Sequence, residues 1–117
     1  DKITFIGKKS RKEIRSILPY IDLYISASKI ESFGLHIAES IAAGVFTVTY
    51  HNTGASMFQT ETNSFRFDTY TASAAAQAII TGIKNSKSIS SEFIRLSVIN
   101  ILHPDIVINQ LQRLYRN

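Results

Sequence analysis

The part of the sequence best suited to chemistry is residues 28–39, where a predicted strand ends and a predicted helix begins. Backbone N–H groups at Phe33, Gly34 and Leu35 would lie in the first turn of that helix, where they have no partner inside the helix. The helix dipole adds partial positive charge at the same end. Because Gly34 has no side chain, an anion could approach this backbone closely. The pattern therefore predicts a phosphate site.

Two carboxylates flank this predicted anion site. Glu31 lies in the loop before the helix, and Glu39 lies about one turn inside it, roughly opposite the predicted core residue Ile41. An ionised carboxylate only accepts hydrogen bonds, which suits the vicinal hydroxyls of a sugar. A phosphate between two diol-binding carboxylates is the outline of a nucleoside diphosphate sugar. The alternative is that both glutamates are ordinary solvated side chains.

The elements that must position these groups follow from the spacing of apolar residues. Short β-rich runs predict strands at residues 3–6, 23–27, 45–50 and 65–67. A helix should begin at Ser10, with Glu13 completing a capping box, and end near Pro19. A second helix should end at Gly44. Further helices are predicted at residues 72–84, from Ser90 or Ser91, and from Pro104 onwards.

The alternation of strands and helices predicts an α/β fold, an open parallel sheet of about four strands with helices on both faces. In such sheets the ligand cleft lies beyond the carboxyl ends of the strands. Three segments satisfy that rule: Gly7 with Lys8, residues 28–34, and the turn at residues 51–54. The length of 117 residues predicts a single domain spanning residues 1–117.

The composition excludes several classes of protein. There is no cysteine, which excludes a disulfide scaffold, Cys-ligated zinc and cysteine catalysis. His36, His51 and His103 are isolated in the sequence, so we expect surface or helix-end residues and no metal site. The net charge of +4 is scattered, which disfavours nucleic-acid binding. We expect a cytoplasmic protein, with attraction to the inner face of a membrane as the alternative.

The central segment resembles a known signature. Glu31 and Glu39 are separated by seven residues, with Ser32, Phe33 and Gly34 after the first glutamate. This resembles the E-x7-E motif of retaining glycosyltransferases with the GT-B fold (group 1, family 4 type). Weaker likenesses at residues 3–7, 22–28, 42–45 and 111–115 extend the resemblance over nearly the whole chain. The resemblance implies the Rossmann-like C-terminal domain of such an enzyme, which binds the donor.

The resemblance also implies roles for individual residues. Glu31 would be the catalytic residue that contacts the donor sugar, and Glu39 would bind the ribose diol. The diphosphate and sugar would meet the segment formed by Ser32, Phe33, Gly34 and Leu35. Backbone groups of Gly7 and Lys8 would lie near the base. The donor would be of the UDP or GDP type, with no further cofactor and no metal.

The same resemblance implies that the chain is part of a larger enzyme. The family's diphosphate-gripping Arg and Lys lie upstream of Ile3, as does its acceptor-binding N-terminal domain. We therefore expect the isolated chain to be inactive. The full-length protein would be a transferase of the hexosyltransferase type in polysaccharide biosynthesis. Its acceptor would be a glycan or a lipid-linked sugar.

Three departures from the family pattern keep other functions open. Phe46 stands where the family commonly has proline, Met57 where it often has glutamate, and Ser64 where it has glycine. These departures fit the alternative of a non-catalytic accessory subunit that binds a protein partner. A flavodoxin-like or receiver domain is a third hypothesis, although Ile6 and Gly7 lack the acidic residues that a receiver needs. A sugar-nucleotide epimerase is a fourth.

Overall fold

The computed structural model of the chain describes residues 2–51, 54–103, 105 and 112–113, without the side chains of Asn100 and Leu102. Most of the last predicted helix, from Pro104 with Ile106, Ile108, Leu111, Leu114 and Tyr115, lies outside the described residues. So do Asn52 and Thr53 of the predicted turn.

The described residues form a parallel α/β fold. Its elements are α1 (Arg11–Ile17), a 3-10 turn (Leu18–Tyr20), β1 (Leu23–Ser26), α2 (Leu35–Ala42), β2 (Phe46–Tyr50), β3 (Ser64–Phe67), α3 (Ala72–Ser86) and α4 (Ser91–Leu102). The sheet has three strands in the order β1-β2-β3, and both pairings are parallel. In register, Thr47 of β2 lies between Tyr24 of β1 and Ser64 of β3. The predicted fold class is confirmed.

Helices cover the sheet through two apolar clusters. Residues of α2 and α4 pack with Phe46 in the larger cluster, and α3 packs with Val48 and Phe67 in the smaller. The side chains of β2 from Phe46 to Thr49 are all buried. A central parallel strand covered in this way reads as a continuous β-branched and aromatic run, which is the pattern seen in β2.

The helix ends follow the predicted chemistry. Ser10 caps α1, because its hydroxyl accepts from the Glu13 N–H at 3.2 Å and its own N–H donates to Glu13 Oε2 at 2.7 Å. Gly44 ends α2 with a φ of +83°, donating to the carbonyl of Ile41, while the N–H of Val45 reaches Ser40. These two hydrogen bonds form a Schellman motif, whose left-handed residue is usually glycine.

The predicted strand at residues 3–6 is wrong. This segment is irregular, with Ile3 86%, Phe5 94% and Ile6 57% exposed. A buried parallel strand needs a hydrogen-bonding neighbour and a covering layer. Among the described residues β1 is an edge of the sheet without a further strand beside it, and the exposure of residues 3–6 shows that no layer covers them.

The side of α3 that meets the sheet is made of small residues. Ala78 and Gly82 are buried and Ile79 is partly buried, whereas Ile80 and Ile83 are 61% and 43% exposed. A Cβ on Gly82 would collide with Val48, so the glycine allows the helix to lie close on the strand. No helix in the described part of the chain is long and apolar enough to cross a lipid bilayer.

Candidate functional site

The candidate site lies in the loop between β1 and α2, at the carboxyl edge of the sheet. Gly34 is the N-cap of α2 with a φ of +71°, and its carbonyl accepts from the N–H groups of Ile37 and Ala38 at 3.0 and 3.1 Å. Within the described residues, no acceptor pairs with the backbone N–H of Phe33, Gly34 or Leu35. Unpaired amides are expected in the first turn of a helix. Their use as donors to an anion stays a prediction.

The glycine at position 34 is required by packing, and not by the approach of an anion that the sequence had suggested. A Cβ on Gly34 would stand 2.8 Å from the Cβ of Ala55, so the missing side chain leaves room for Ala55 and not for an anion. A Cβ on Gly54 would likewise collide with the carbonyl of Glu31. The turn after β2 thus packs directly against the loop before α2 and holds its shape.

Glu31 is held by the first turn of α2. His36 Nε2 lies 2.7 Å from Glu31 Oε1, and the Glu31 side chain is 18% exposed. This hydrogen bond lowers the pKa of Glu31 below its ordinary value of 4.5, and burial opposes it. A side-chain hydrogen bond with Ser28 lowers the pKa further. Glu31 is therefore a carboxylate with a fixed orientation.

The same histidine is held from β1. The hydroxyl of Tyr24 lies 2.7 Å from His36 Nδ1, and the two ring centroids are 5.8 Å apart at an interplanar angle of 54°. Burial raises the pKa of Tyr24, and the charges of Glu31 and then Glu39 raise it further. Both glutamates thus lie near enough to the Tyr24 hydroxyl for their charges to act on it.

Glu39 is paired with α1. Arg11 Nη2 lies 2.7 Å from Glu39 Oε1, and their side chains are 71% and 30% exposed. Ile41 is fully buried, so the predicted orientation of Glu39 away from the core is confirmed. The contact leaves Glu39 at the surface with one oxygen engaged by a cation.

The structure does not bring Gly7 and Lys8 to the loop. Both are exposed, and a Cβ on Gly7 would meet no atom within 4 Å. Neither residue forms a hydrogen bond or ion pair with Glu31 or Glu39 in the described part of the chain. Their contact with a nucleobase stays a prediction.

Three polar partners were missed from the sequence: Arg11, Tyr24 and His36. His36 was expected to be a surface or helix-end residue, and it does lie in the first turn of α2, with its side chain 41% exposed. Its contacts with Tyr24 and Glu31 were not predicted from the sequence. The five-residue separation of Glu31 and His36 across a helix start was a usable signal. Arg11 lies 28 residues from Glu39, and only the packing of α1 could reveal that pair.

The start of the loop is fixed by an aromatic residue that follows β3. The Tyr70 hydroxyl donates to the carbonyl of Ala27 at 2.9 Å. Lys29 Nζ lies 5.4 Å from the centroid of the Tyr70 ring, within the range of a cation–π contact. The loop is therefore tied to neighbouring segments at both ends, by Tyr70 near its beginning and by Ala55 at Gly34.

The surface beside the site is open and partly apolar. Phe33, Leu35 and Met57 are each more than half exposed, and the Phe33 ring packs against the buried Phe58 at 5.8 Å. A cavity of about 630 Å³ lies instead where β1 and β2 begin, and neither glutamate lines it. Asp22, Ser86 and Lys87 are among its lining residues, but it lies at the amino ends of the strands. Ligands of open α/β sheets bind beyond the carboxyl ends, so the loop is the better candidate.

The described residues contain no group of three His, Asp or Glu side chains arranged to hold a metal ion. The expectation of metal-free chemistry stays a prediction.

The parallel sheet and the tethered loop before α2 define a Rossmann-like α/β domain with a candidate anion site. Comparison with known proteins then gives the family: the model of "Glycosyl transferases group 1" matches residues 1–94, and the chain belongs to that family. The chain is also similar to "Uncharacterized glycosyltransferase YqgM" of Bacillus subtilis (strain 168), with 25% identity over 118 residues. That match covers 98% of this chain and 33% of the relative, so the chain spans about a third of the relative's length.

Proposed function

We propose that this chain supplies the donor site of a retaining glycosyltransferase. The whole protein would transfer a sugar from a UDP- or GDP-type donor to a glycan or lipid-linked acceptor. The observation that carries the proposal is the set of unpaired amides at Phe33, Gly34 and Leu35, with Glu31 in the loop before them and Glu39 one turn further along α2. Membership of the glycosyl transferase family supports it.

The proposed roles follow from charge and position. Amides and the helix dipole stabilise the diphosphate as negative charge develops on it. Such electrostatic stabilisation of a leaving group is usually the largest single contribution to catalysis. The anionic Glu31 accepts hydrogen bonds from hydroxyls of the sugar and faces its positive charge in the transition state. Glu39 accepts from the ribose diol through the oxygen that Arg11 does not occupy. Ser32 is exposed beside these groups and can contact the diphosphate.

Calorimetry on the whole protein tests the binding step. UDP, GDP, UDP-glucose and GDP-mannose are titrated separately, and one nucleotide type should bind. Replacing Glu39 by alanine should weaken that nucleotide by about 1–3 kcal/mol, the value of a hydrogen bond to a charged group. Absence of binding by all four probes would remove the donor-site function.

A matched control separates this role from general surface charge. Glu92 is also an exposed glutamate paired with an arginine, Arg95, on α4. Glu92→Ala should leave nucleotide affinity unchanged. Glu31→Ala should lower turnover more than nucleotide affinity, because its proposed partner is the sugar. The anomeric configuration of the product, read by NMR, tests retention directly.

One observation favours the accessory role as a second candidate. Met57, which stands where the family often has glutamate, is 59% exposed on the turn that supports the loop. An apolar side chain there suits a protein partner better than a charged donor. Under this hypothesis the whole protein binds none of the four nucleotides. The calorimetry therefore decides between the two functions.

A further inference from the structure

His36 connects the candidate site to the sheet beneath it. It lies in the first turn of α2, directly after the amide donors, and one ring nitrogen contacts Glu31 while the other contacts Tyr24, each at 2.7 Å. An ionised carboxylate can only accept, so Nε2 must carry the hydrogen that joins His36 to Glu31. The hydroxyl of Tyr24 can donate to Nδ1 of a neutral ring or accept from a charged one. The contact to Glu31 is therefore kept in both states of His36.

We propose that His36, supported by Tyr24, is a positioning residue that fixes the Glu31 carboxylate toward the donor sugar. Oε1 is the oxygen that His36 engages, which leaves Oε2 free of His36 to accept from a sugar hydroxyl. This inference rests on the proposed donor site. It adds a residue that acts through Glu31 and does not itself touch the sugar.

The placement of His36 argues against a role in packing alone. The buried side of α2 consists of Ile37, Ala38 and Ile41, together with Ser40. The His36 side chain is 41% exposed and contributes little to that core. Removing its imidazole should therefore leave the fold intact while releasing Glu31.

Polar and charged groups surround the pair formed by His36 and Glu31. Tyr24 faces His36 from β1, Glu39 lies one turn further along α2, and Arg11 reaches Glu39 from α1. Arg11 neutralises Glu39 more directly than Glu31, because only Glu39 forms an ion pair with it. His36 is thus the one described side chain that forms an ion-pair contact with Glu31.

NMR on the whole protein, with ¹³C-labelled glutamate carboxyls, tests the pair without reference to activity. A Glu31→Gln variant identifies the Glu31 signal. In His36→Ala the midpoint of the Glu31 titration should rise toward the ordinary carboxyl value, and His36→Gln, which keeps an N–H donor, should restore much of the lowering. An unchanged midpoint in His36→Ala would overturn the proposal. His103→Ala, another exposed histidine next to an acid, is the matched control and should leave the signal unchanged.

Kinetics test what the pair does for the donor. With the nucleotide sugar that the wild type binds, His36→Ala should lower kcat about tenfold, the order expected for a lost hydrogen bond to a charged group. The affinity for the nucleoside diphosphate without sugar should stay the same, and a matching loss there would also overturn the proposal. If the wild type binds no nucleotide, the donor-site function fails on its own, and the NMR midpoint still decides whether His36 sets the state of Glu31.

Discussion

Arg11 and Glu39 form an ion pair at 2.7 Å between the first turn of α1 and the second turn of α2, across 28 residues of sequence. The arginine side chain is 71% exposed, so water and salt screen the attraction strongly. Such a pair contributes little to folding. Its effect is to direct the Glu39 carboxylate along the helix surface toward α1.

The two partners of this pair should differ in function. Arg11→Gln and Glu39→Ala should each change the free energy of unfolding by less than about 1 kcal/mol, because exposed ion pairs are weak. Only Glu39→Ala should weaken nucleoside diphosphate binding, as the ribose partner is lost. Urea unfolding and calorimetry on the same samples check both statements. Equal losses of affinity in the two variants would mean that Arg11 itself binds the donor.

Gly34→Ala should destabilise the fold more than Gly7→Ala. The two glycines have nearly equal φ values, +71° and +68°, but a Cβ meets Ala55 at 2.8 Å in the first case and nothing within 4 Å in the second. The left-handed backbone costs roughly 1–2 kcal/mol for a residue with a Cβ, and overpacking adds about 1–3 kcal/mol at Gly34. Urea unfolding should therefore rank Gly34→Ala as the more damaging change.

A double substitution checks the cause of that difference. Ala55→Gly removes the methyl group that the new Cβ would meet, so Gly34→Ala should cost less in an Ala55→Gly background than in the wild type. The resulting coupling energy isolates the contact between the two residues. Strictly additive free energies would show that the contact is not the source of the effect.

The features that were predictable from sequence are those with local causes. The capping box of Ser10 and Glu13, the glycine that ends α2, and the β-branched run of β2 depend on residues within one or two turns. They fix the helix and strand positions and hence the parallel α/β class. The loop with its amide donors followed from the same local reasoning, because it is a helix start after a strand.

The errors came from contacts between distant segments. Residues 3–6 have a strand-forming composition, yet a strand needs a neighbour that the sequence pattern cannot supply. The sequence pattern explains Gly34 by the approach of an anion. It cannot show that Ala55, from the turn after β2, packs against this glycine. The contacts of His36 could not be predicted, since the sequence pattern gives no sign that Tyr24 of β1 lies next to it.

Acidification should reveal the lowered pKa of Glu31. Its folded-state pKa lies below the ordinary value of 4.5, chiefly because His36 donates a hydrogen bond to it. The unfolded chain therefore takes up the proton first, and this contribution to stability is full above pH 4.5 and is lost as the pH falls through the lowered pKa. Glu31→Gln removes the titrating group, so its stability curve should be flatter than the wild type's in that window.

Glu92 has to be measured beside Glu31, because Arg95 lowers the pKa of Glu92 in the same direction. Urea unfolding of Glu92→Gln over the same pH series gives the contribution of Glu92 to the pH dependence of stability. The difference between wild type and Glu31→Gln should shrink as the pH falls. A constant difference across the series would show that the carboxyl of Glu31 has the same pKa in both states of the chain.

Asn63→Ala should be among the most destabilising changes in this domain. Asn63 is fully buried before β3, where Nδ2 donates to the Phe58 carbonyl at 2.9 Å and to Ser97 Oγ at 2.8 Å. Its Oδ1 accepts from the N–H of Thr60 at 2.8 Å. Truncation leaves buried backbone groups without partners and opens a small cavity, which together cost about 2–4 kcal/mol.

Ser97→Ala provides the matched comparison, because it removes the one bond that ties Asn63 to α4 and leaves the two bonds to the loop. It should cost about 1 kcal/mol, the net value of a single neutral hydrogen bond. Urea unfolding of the two variants gives both free energies. If Ser97→Ala costs as much as Asn63→Ala, the link to α4 dominates. A larger cost for Asn63→Ala would show that the loop before β3, and with it the register of the edge strand, depends on this amide.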